Sequence, residues 1–142
     1  MCTVYEVDSD GELVYIAMEK IEGETLRERV LSQRELLSAL SEAARGMQAA
    51  HDAGIIHRDF KPDNVMVESH HGKLRVVVCD FGQAAAGSAA CPDVNTGATE
   101  TVSELVGSPA YMAPEQFLVW SIDHRVDIFA FEVSAWELPE RT

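Results

Sequence analysis

Gly54-Ile55-Ile56-His57-Arg58-Asp59-Phe60-Lys61-Pro62-Asp63-Asn64 and, after an apolar run, Asp80-Phe81-Gly82 are the stretches that decide the fold. The first starts apolar and ends as a polar loop carrying two carboxylates, a lysine and a carboxamide. Immediately upstream, Ser32-Gln33-Arg34-Glu35 has the S-x-x-E form of a capping box, which predicts a long helix starting there. Leu36, Leu40, Ala43/Ala44, Met47 and Ala50 recur at three- and four-residue spacing and form its apolar stripe. Gly54 is placed to end it in a left-handed conformation. Between the two acidic motifs, Val65-Met66-Val67, a turn at His70-His71-Gly72 and the run Leu74 to Cys79 read as a β-hairpin. Such a hairpin brings Asp59, Asn64 and Asp80 to one mouth.

Further out, Val4-Tyr5, a turn at Asp8-Ser9-Asp10-Gly11 and the run Leu13 to Met18 predict an opening hairpin. A short helical stretch is expected from Thr25 to Leu31. The segment from Asp80 to about Ser108 has little periodicity and reads as a long surface loop, a kind of segment that is often functional. A final apolar helix is expected between Val126 and Leu138. Strands and helices in this order give an α+β fold class.

The 142 residues are 46% hydrophobic, enough for a core and too apolar for a disordered acidic tail. Eleven Lys+Arg against 24 Asp+Glu leave a formal charge of −13. That balance argues against nucleic-acid binding, which needs a cationic surface to neutralise phosphates. No run approaches the ~18 apolar residues of a membrane helix, and Met1 to Glu12 lacks a secretory layout. Cys2, Cys79 and Cys91 fall into no paired spacing, so a reducing, cytoplasmic setting is expected. Asp and Asn oxygens suit a hard cation such as Mg²⁺ held jointly with substrate phosphates. A remaining carboxylate and a lysine are then free for proton handling and charge stabilisation, which fits phosphoryl transfer.

His57-Arg58-Asp59 with Asn64, then Asp80-Phe81-Gly82, then Ala113-Pro114-Glu115 resemble, in order, the catalytic loop, metal-binding triplet and activation-segment end of protein kinases. Lys61 and Gly107-Ser108-Pro109-Ala110-Tyr111 resemble the serine/threonine branch, and GIIHRDFKPDNVMV and GSPAYMAPEQF look most like its bacterial members. The resemblance implies a protein-kinase-like fold, mostly the helical C-lobe. Residues 1–18 would be a remnant N-lobe hairpin, 19–24 the hinge and 25–142 a partial C-lobe with an activation segment at 80–115. It implies transfer of the ATP γ-phosphoryl group to a Ser or Thr hydroxyl of a protein. Asp59 would orient the hydroxyl and accept its proton, Lys61 would stabilise the transferring group, and Asn64 and Asp80 would hold Mg²⁺. Met18 would back the adenine pocket, the backbone of Glu19 to Ile21 would bond the base, and Met66 would pack beneath it. Asp127 would brace the catalytic loop from below.

The resemblance also implies that a phosphate on the activation loop pairs with Arg58. Thr96, Thr99, Thr101 and Ser103 are candidate acceptors, and Glu104, three before Gly107, is a candidate stand-in for the phosphate. His57 reads as a core histidine holding the loop; His51, His70 and His71 read as surface positions. Cys79 reads as a buried small hydrophobe. The glycine-rich loop, strand lysine and helical glutamate of the family lie upstream of the hinge and are not found here. Lys20 echoes that lysine, but 36 residues to His57 are too few for the intervening elements. The expectation is a catalytic core incomplete at both ends. The alternative is a non-catalytic, pseudokinase-like regulatory or interaction module.

Overall fold

Helix α1, Gln33–Asp52, is the longest element of the computed structural model, which describes residues 2–10, 13–70, 73–81, 85–86, 108–118 and 122–141. Its capping box is formed: Ser32 Oγ accepts the Glu35 N–H at 3.4 Å, and the Glu35 carboxylate accepts the Ser32 N–H at 2.9 Å. At the other end the Gly54 N–H bonds His51 O at 2.9 Å, and Gly54 takes φ 74°, where a Cβ would be strained. The buried stripe runs through Leu36, Ala39, Leu40, Ala43, Met47 and Ala50. Ala44, expected in the stripe, is exposed. The helical line from Leu36 passes through Ala39 and Ala43 instead.

This stripe packs on a three-stranded antiparallel sheet. Strands β5 (Val65–His70) and β6 (Lys73–Val78) pair from Val65↔Val78 to His70↔Lys73, and the two-residue strand β3 (Glu24–Thr25) flanks β5. Residues 71–72 lie outside the described residues. Leu26, Val65, Val67, Val78 and Phe60 join the α1 stripe in one core. Gly23 permits the approach of β3 to β5, since a Cβ there would lie 2.4 Å from Val67 O.

The helix expected from Thr25 to Leu31 is a single turn. Thr25 pairs with Met66, and the Leu26 N–H donates to Val65 O at 2.7 Å, so the backbone that would start the helix is held by the sheet. What remains is closed by Arg29 N–H to Thr25 O at 2.9 Å and by Glu28 and Thr25 bonding each other's backbone.

The opening hairpin pairs β1 (Val4–Asp10) with β2 (Leu13–Met18), with an irregularity between Val4 and Glu6. Asp8, Ser9 and Asp10, expected in the turn, extend the strand opposite Tyr15, Val14 and Leu13; Tyr15 OH bonds Asp8 at 3.1 Å. Tyr5, Val7 and Ile16 are exposed on it. The hairpin joins the larger sheet at its base, through Cys2 N–H to Val78 O at 3.3 Å and an Arg75–Glu19 ion pair at 2.6 Å.

After α1, strand β4 (Ile55–Ile56) pairs with β7 (Ala85–Ala86), inside the segment expected to be loop. The short helix α2 (Pro114–Phe117) and helix α3 (Arg125–Glu137) follow, the latter displaced by one residue from expectation. Val126, Asp127, Ala130 and Ser134 form the buried side of α3, while Ile128, Phe129 and Trp136 are exposed. Among the described residues no helix is long and apolar enough to cross a membrane.

Candidate active site

The loop after β4 is built around a buried carboxylate supplied from far along the chain. Asp127, at the start of α3, accepts the His57 N–H on Oδ2 and the Arg58 N–H on Oδ1, both at 2.8 Å. Gln116 Nε2 donates to Arg58 O at 3.2 Å, so the Arg58 residue is held on both sides while its φ is 68°. That left-handed conformation costs a non-glycine residue ~1–3 kcal/mol and persists only where surroundings impose it. His57 is fully buried; its Nδ1 accepts the Asp59 N–H at 3.3 Å and its Nε2 lies 2.9 Å from Cys79 O. The tautomer protonated on Nε2 satisfies both bonds. The His57 ring also contacts the Phe81 ring, 4.5 Å between centroids.

Asp59, 7% exposed, is the hub. Its Oδ2 accepts Lys61 Nζ at 3.0 Å and Asn64 Nδ2 at 3.3 Å, and its Oδ1 accepts the Ser108 N–H at 2.8 Å. Lys61 Nζ also donates to Ser108 Oγ at 2.7 Å. Burial pushes the Asp59 carboxyl up, but the Lys61 and Ser108 hydrogen bonds and the Lys61 charge outweigh it and hold the group below its ordinary value. Asp59 is therefore a carboxylate at neutral pH, aimed by three donors.

Asn64 and Asp80 are brought together through the backbone, since Asn64 O accepts the Cys79 N–H at 2.8 Å. Asn64 Nδ2 also donates to Asp59 O at 2.9 Å, which fixes the amide and turns its Oδ1 to acceptor work. Asp80 is exposed, with φ 59°. A carboxylate and a carboxamide oxygen form a hard donor set that fits Mg²⁺ better than a soft metal. Among the described residues no cluster of three or more His, Cys, Asp or Glu could hold a metal ion.

At the hairpin base, Met18 is exposed and Ile21 and Met66 are half-buried. The Glu19 N–H donates to Thr3 O at 2.8 Å, which withdraws it from any ligand, whereas Glu19 O receives the weak Cys2 Sγ donor at 3.4 Å. The Glu19 side chain is held below its ordinary carboxyl value by hydrogen bonding to Arg75. Glu115 is half-buried in α2. Glu104, Gly82 and the four candidate acceptors Thr96, Thr99, Thr101 and Ser103 lie outside the described residues. A separate groove of about 460 Å³ opens between α1 and α3, lined in part by His51, His124 and Phe131.

A family profile described as "Protein kinase domain" matches residues 1–142. The chain belongs to the protein kinase family. Among similar proteins, the serine/threonine-protein kinase Pkn1 of Myxococcus xanthus is 36% identical over 140 residues, 96% of this chain and 19% of that protein. A probable serine/threonine-protein kinase PknB of Corynebacterium glutamicum is 40% identical over 139 residues, 94% of the chain and 20% of that protein. PknL of Mycobacterium tuberculosis is 34% identical over 143 residues, 97% of the chain and 33% of that protein. The chain thus spans a fifth to a third of the length of these relatives. Members of the family typically use ATP and Mg²⁺.

Two features of this kinase chain escape a reading of the sequence. His51, expected at the surface, is largely buried and its Nε2 lies 2.8 Å from Asp127 Oδ2, because the last turn of α1 packs beside the start of α3. Arg27 gathers residues from three other elements. It bonds Asp63 at 2.7 Å, Glu137 at 2.9 Å and the Tyr111 hydroxyl, which in turn donates to Glu137. Partners 36, 84 and 110 positions away leave no local pattern to find.

Proposed function

We propose that this kinase chain carries out serine/threonine phosphoryl transfer, moving the γ-phosphoryl group of ATP to a protein hydroxyl. One observation carries the reading. Asp59 is an ionised, almost buried carboxylate whose two oxygens are aimed by Lys61, Asn64 and the Ser108 N–H. A base in that state orients the acceptor hydroxyl and takes its proton as the oxygen bonds to phosphorus and the bond from phosphorus to ADP breaks. Lys61, bridging Asp59 and Ser108, is placed to offset the charge on the transferring group. Asn64 and Asp80 would hold Mg²⁺, which neutralises phosphate charge when bound. Glu19 O and the Ile21 backbone would meet adenine between Met18 and Met66. Arg58, with φ 68° and its Nε buried without a partner among the described residues, suits a phosphate or carboxylate acceptor, Glu104 being one candidate.

Transfer of labelled phosphate from ATP with Mg²⁺ to a Ser/Thr protein substrate tests this. The wild-type chain is expected to transfer label at least ~100-fold faster than Asp59→Asn, the order of effect of removing a general base. Equal transfer by the two would reject the catalytic reading in favour of a non-catalytic interaction module.

A further inference from the structure

The groove between α1 and α3 holds two imidazoles that phosphoryl transfer does not use. His51 lies in the last turn of α1 and His124 at the N-cap of α3, and the two helix ends pack side by side. Their ring centroids are 5.5 Å apart, with the planes tilted by 53° rather than stacked. His51 is oriented from behind. Its Nε2 lies 2.8 Å from Asp127 Oδ2, an oxygen that also accepts the His57 N–H, so Nε2 is the donor and carries the proton. Nδ1 is left with its lone pair. It has no hydrogen-bond partner among the described residues, and it is not sealed from solvent, because the buried side-chain nitrogen without a partner there is Arg58 Nε.

A histidine that gives one ring N–H to a carboxylate and leaves the other nitrogen open has the arrangement of a metal-ligating imidazole, in which the carboxylate fixes the tautomer and raises the basicity of the ligand. The His124 ring, on an exposed residue of the same groove, supplies a second nitrogen. We propose that His51 and His124 form a two-histidine site for a borderline divalent cation, Zn²⁺ foremost, that bridges the end of α1 to the start of α3.

Distance and donor type agree with this assignment. Zn–N bonds of ~2.0–2.1 Å and a tetrahedral angle at the ion place two ligated imidazole centroids ~5 Å apart, so a small rotation of the side chains suffices. Imidazole nitrogen suits Zn²⁺, Cu²⁺ and Ni²⁺, whereas Mg²⁺ prefers oxygen donors such as those of Asn64 and Asp80. Among the described residues no third His, Cys, Asp or Glu joins the two rings in a larger cluster, so water completes the coordination, for which a groove of about 460 Å³ has room. Asp52 lines the same groove, and the net charge of −13 favours a cation there. An ion that needs both helix ends in place binds the folded chain in preference to the unfolded one, and so stabilises it. Coordination at Nδ1 also polarises the Nε2–H bond and tightens the hold of His51 on Asp127.

The test titrates Zn²⁺ into the chain carrying His70→Ala and His71→Ala, which removes the other neighbouring pair of histidines. Calorimetry reads affinity, the imidazole ¹⁵N resonances read location, and a thermal melt reads stability. The His51 and His124 resonances are expected to shift together while those of His57 stay in place, and the melting midpoint is expected to rise with Zn²⁺. His124→Ala, at an exposed position, should lower the affinity at least ~10-fold, and His124→Cys, which keeps a zinc ligand, should restore it. Absence of binding, equal binding by the His124→Ala chain, or a shift at neither ring would overturn the site. Binding at the two rings with an unmoved midpoint would overturn the bridging of the helix ends.

Discussion

Replacing Asp127 with Asn isolates the interaction that shapes the loop after β4. Asp127 is 1% exposed and holds the His57 and Arg58 N–H groups on separate oxygens, with His51 Nε2 sharing the first. Asparagine keeps the volume and one acceptor but sets an NH₂ group against one of the two N–H donors. Hydrogen bonds to charged groups contribute ~1.5–3 kcal/mol each, and a buried donor left unsatisfied costs ~1–3 kcal/mol. Loss of one bond and weakening of the other puts the expected destabilisation at ~3 kcal/mol, a large part of the ~5–15 kcal/mol margin of a folded domain. Urea titration reads this as a lower midpoint at unchanged slope, and amide exchange should accelerate most at His57 and Arg58. Arg58→Gly supplies the internal check. Glycine accepts φ 68° freely, so in the Asp127→Asn background it should recover part of the loss that comes from unsupported backbone strain. A loss below ~1 kcal/mol with unchanged protection at the two amides would refute the argument.

Three further outcomes follow from local geometry. Hydrogen bonding from Arg125 holds the Asp123 carboxyl down to about 2, so its contribution to stability is full above the ordinary value near ~3.9 and is lost as pH falls toward 2. NMR titration should show that low value in the wild type and a return to the ordinary range in Arg125→Ala. Arg27→Ala removes the guanidinium that bonds Asp63, Glu137 and the Tyr111 hydroxyl and should cost ~2 kcal/mol in urea titration, with Arg27→Lys recovering only part because an ammonium lacks the planar fork. Gly23→Ala forces a Cβ against the Val67 carbonyl, where backbone rather than a flexible side chain must yield, and should lower stability by ~2–3 kcal/mol in thermal melts.

What the sequence discloses here depends on how far each interaction reaches. Helix α1 is legible at both ends because its capping box and its left-handed glycine are signals within four residues of the boundary they set. The β5–β6 hairpin and α3 follow from alternation and apolar runs of ordinary length. The stretch from Thr25 to Leu31 is misread because its own propensity is overruled by Val65 and Met66, forty residues on, which take the Thr25 and Leu26 backbone into a sheet. The two-residue pairing of β4 with β7 is below any periodicity test. At the site, the cluster of Asp59, Lys61 and Asn64 is visible as spacing within one loop. The fixing of that loop by Asp127, a contact across 70 positions, is implied by the family resemblance and by no local pattern, while the part of His51 in it, across 76 positions, is signalled by neither.

The charge distribution bears on how a chain of net charge −13 can handle phosphate. Arg27, Arg29, Arg75 and Arg125 are committed to carboxylates through ion pairs at 2.6–2.9 Å. Lys61 is paired too, but with the very carboxylate proposed as base, so its charge stays in the site. Arg58 differs from the other arginines. Its backbone is forced into the left-handed region by Asp127 and Gln116, and its Nε is buried without a partner among the described residues. An unsatisfied buried donor costs ~1–3 kcal/mol, and the strained backbone adds a similar amount. A loop that merely connected β4 to β5 would gain by placing glycine at this position. Retaining arginine there makes sense if an acceptor completes the site, so the same Asp127 carboxylate that holds the loop after β4 also holds a cation ready one residue before the proposed base.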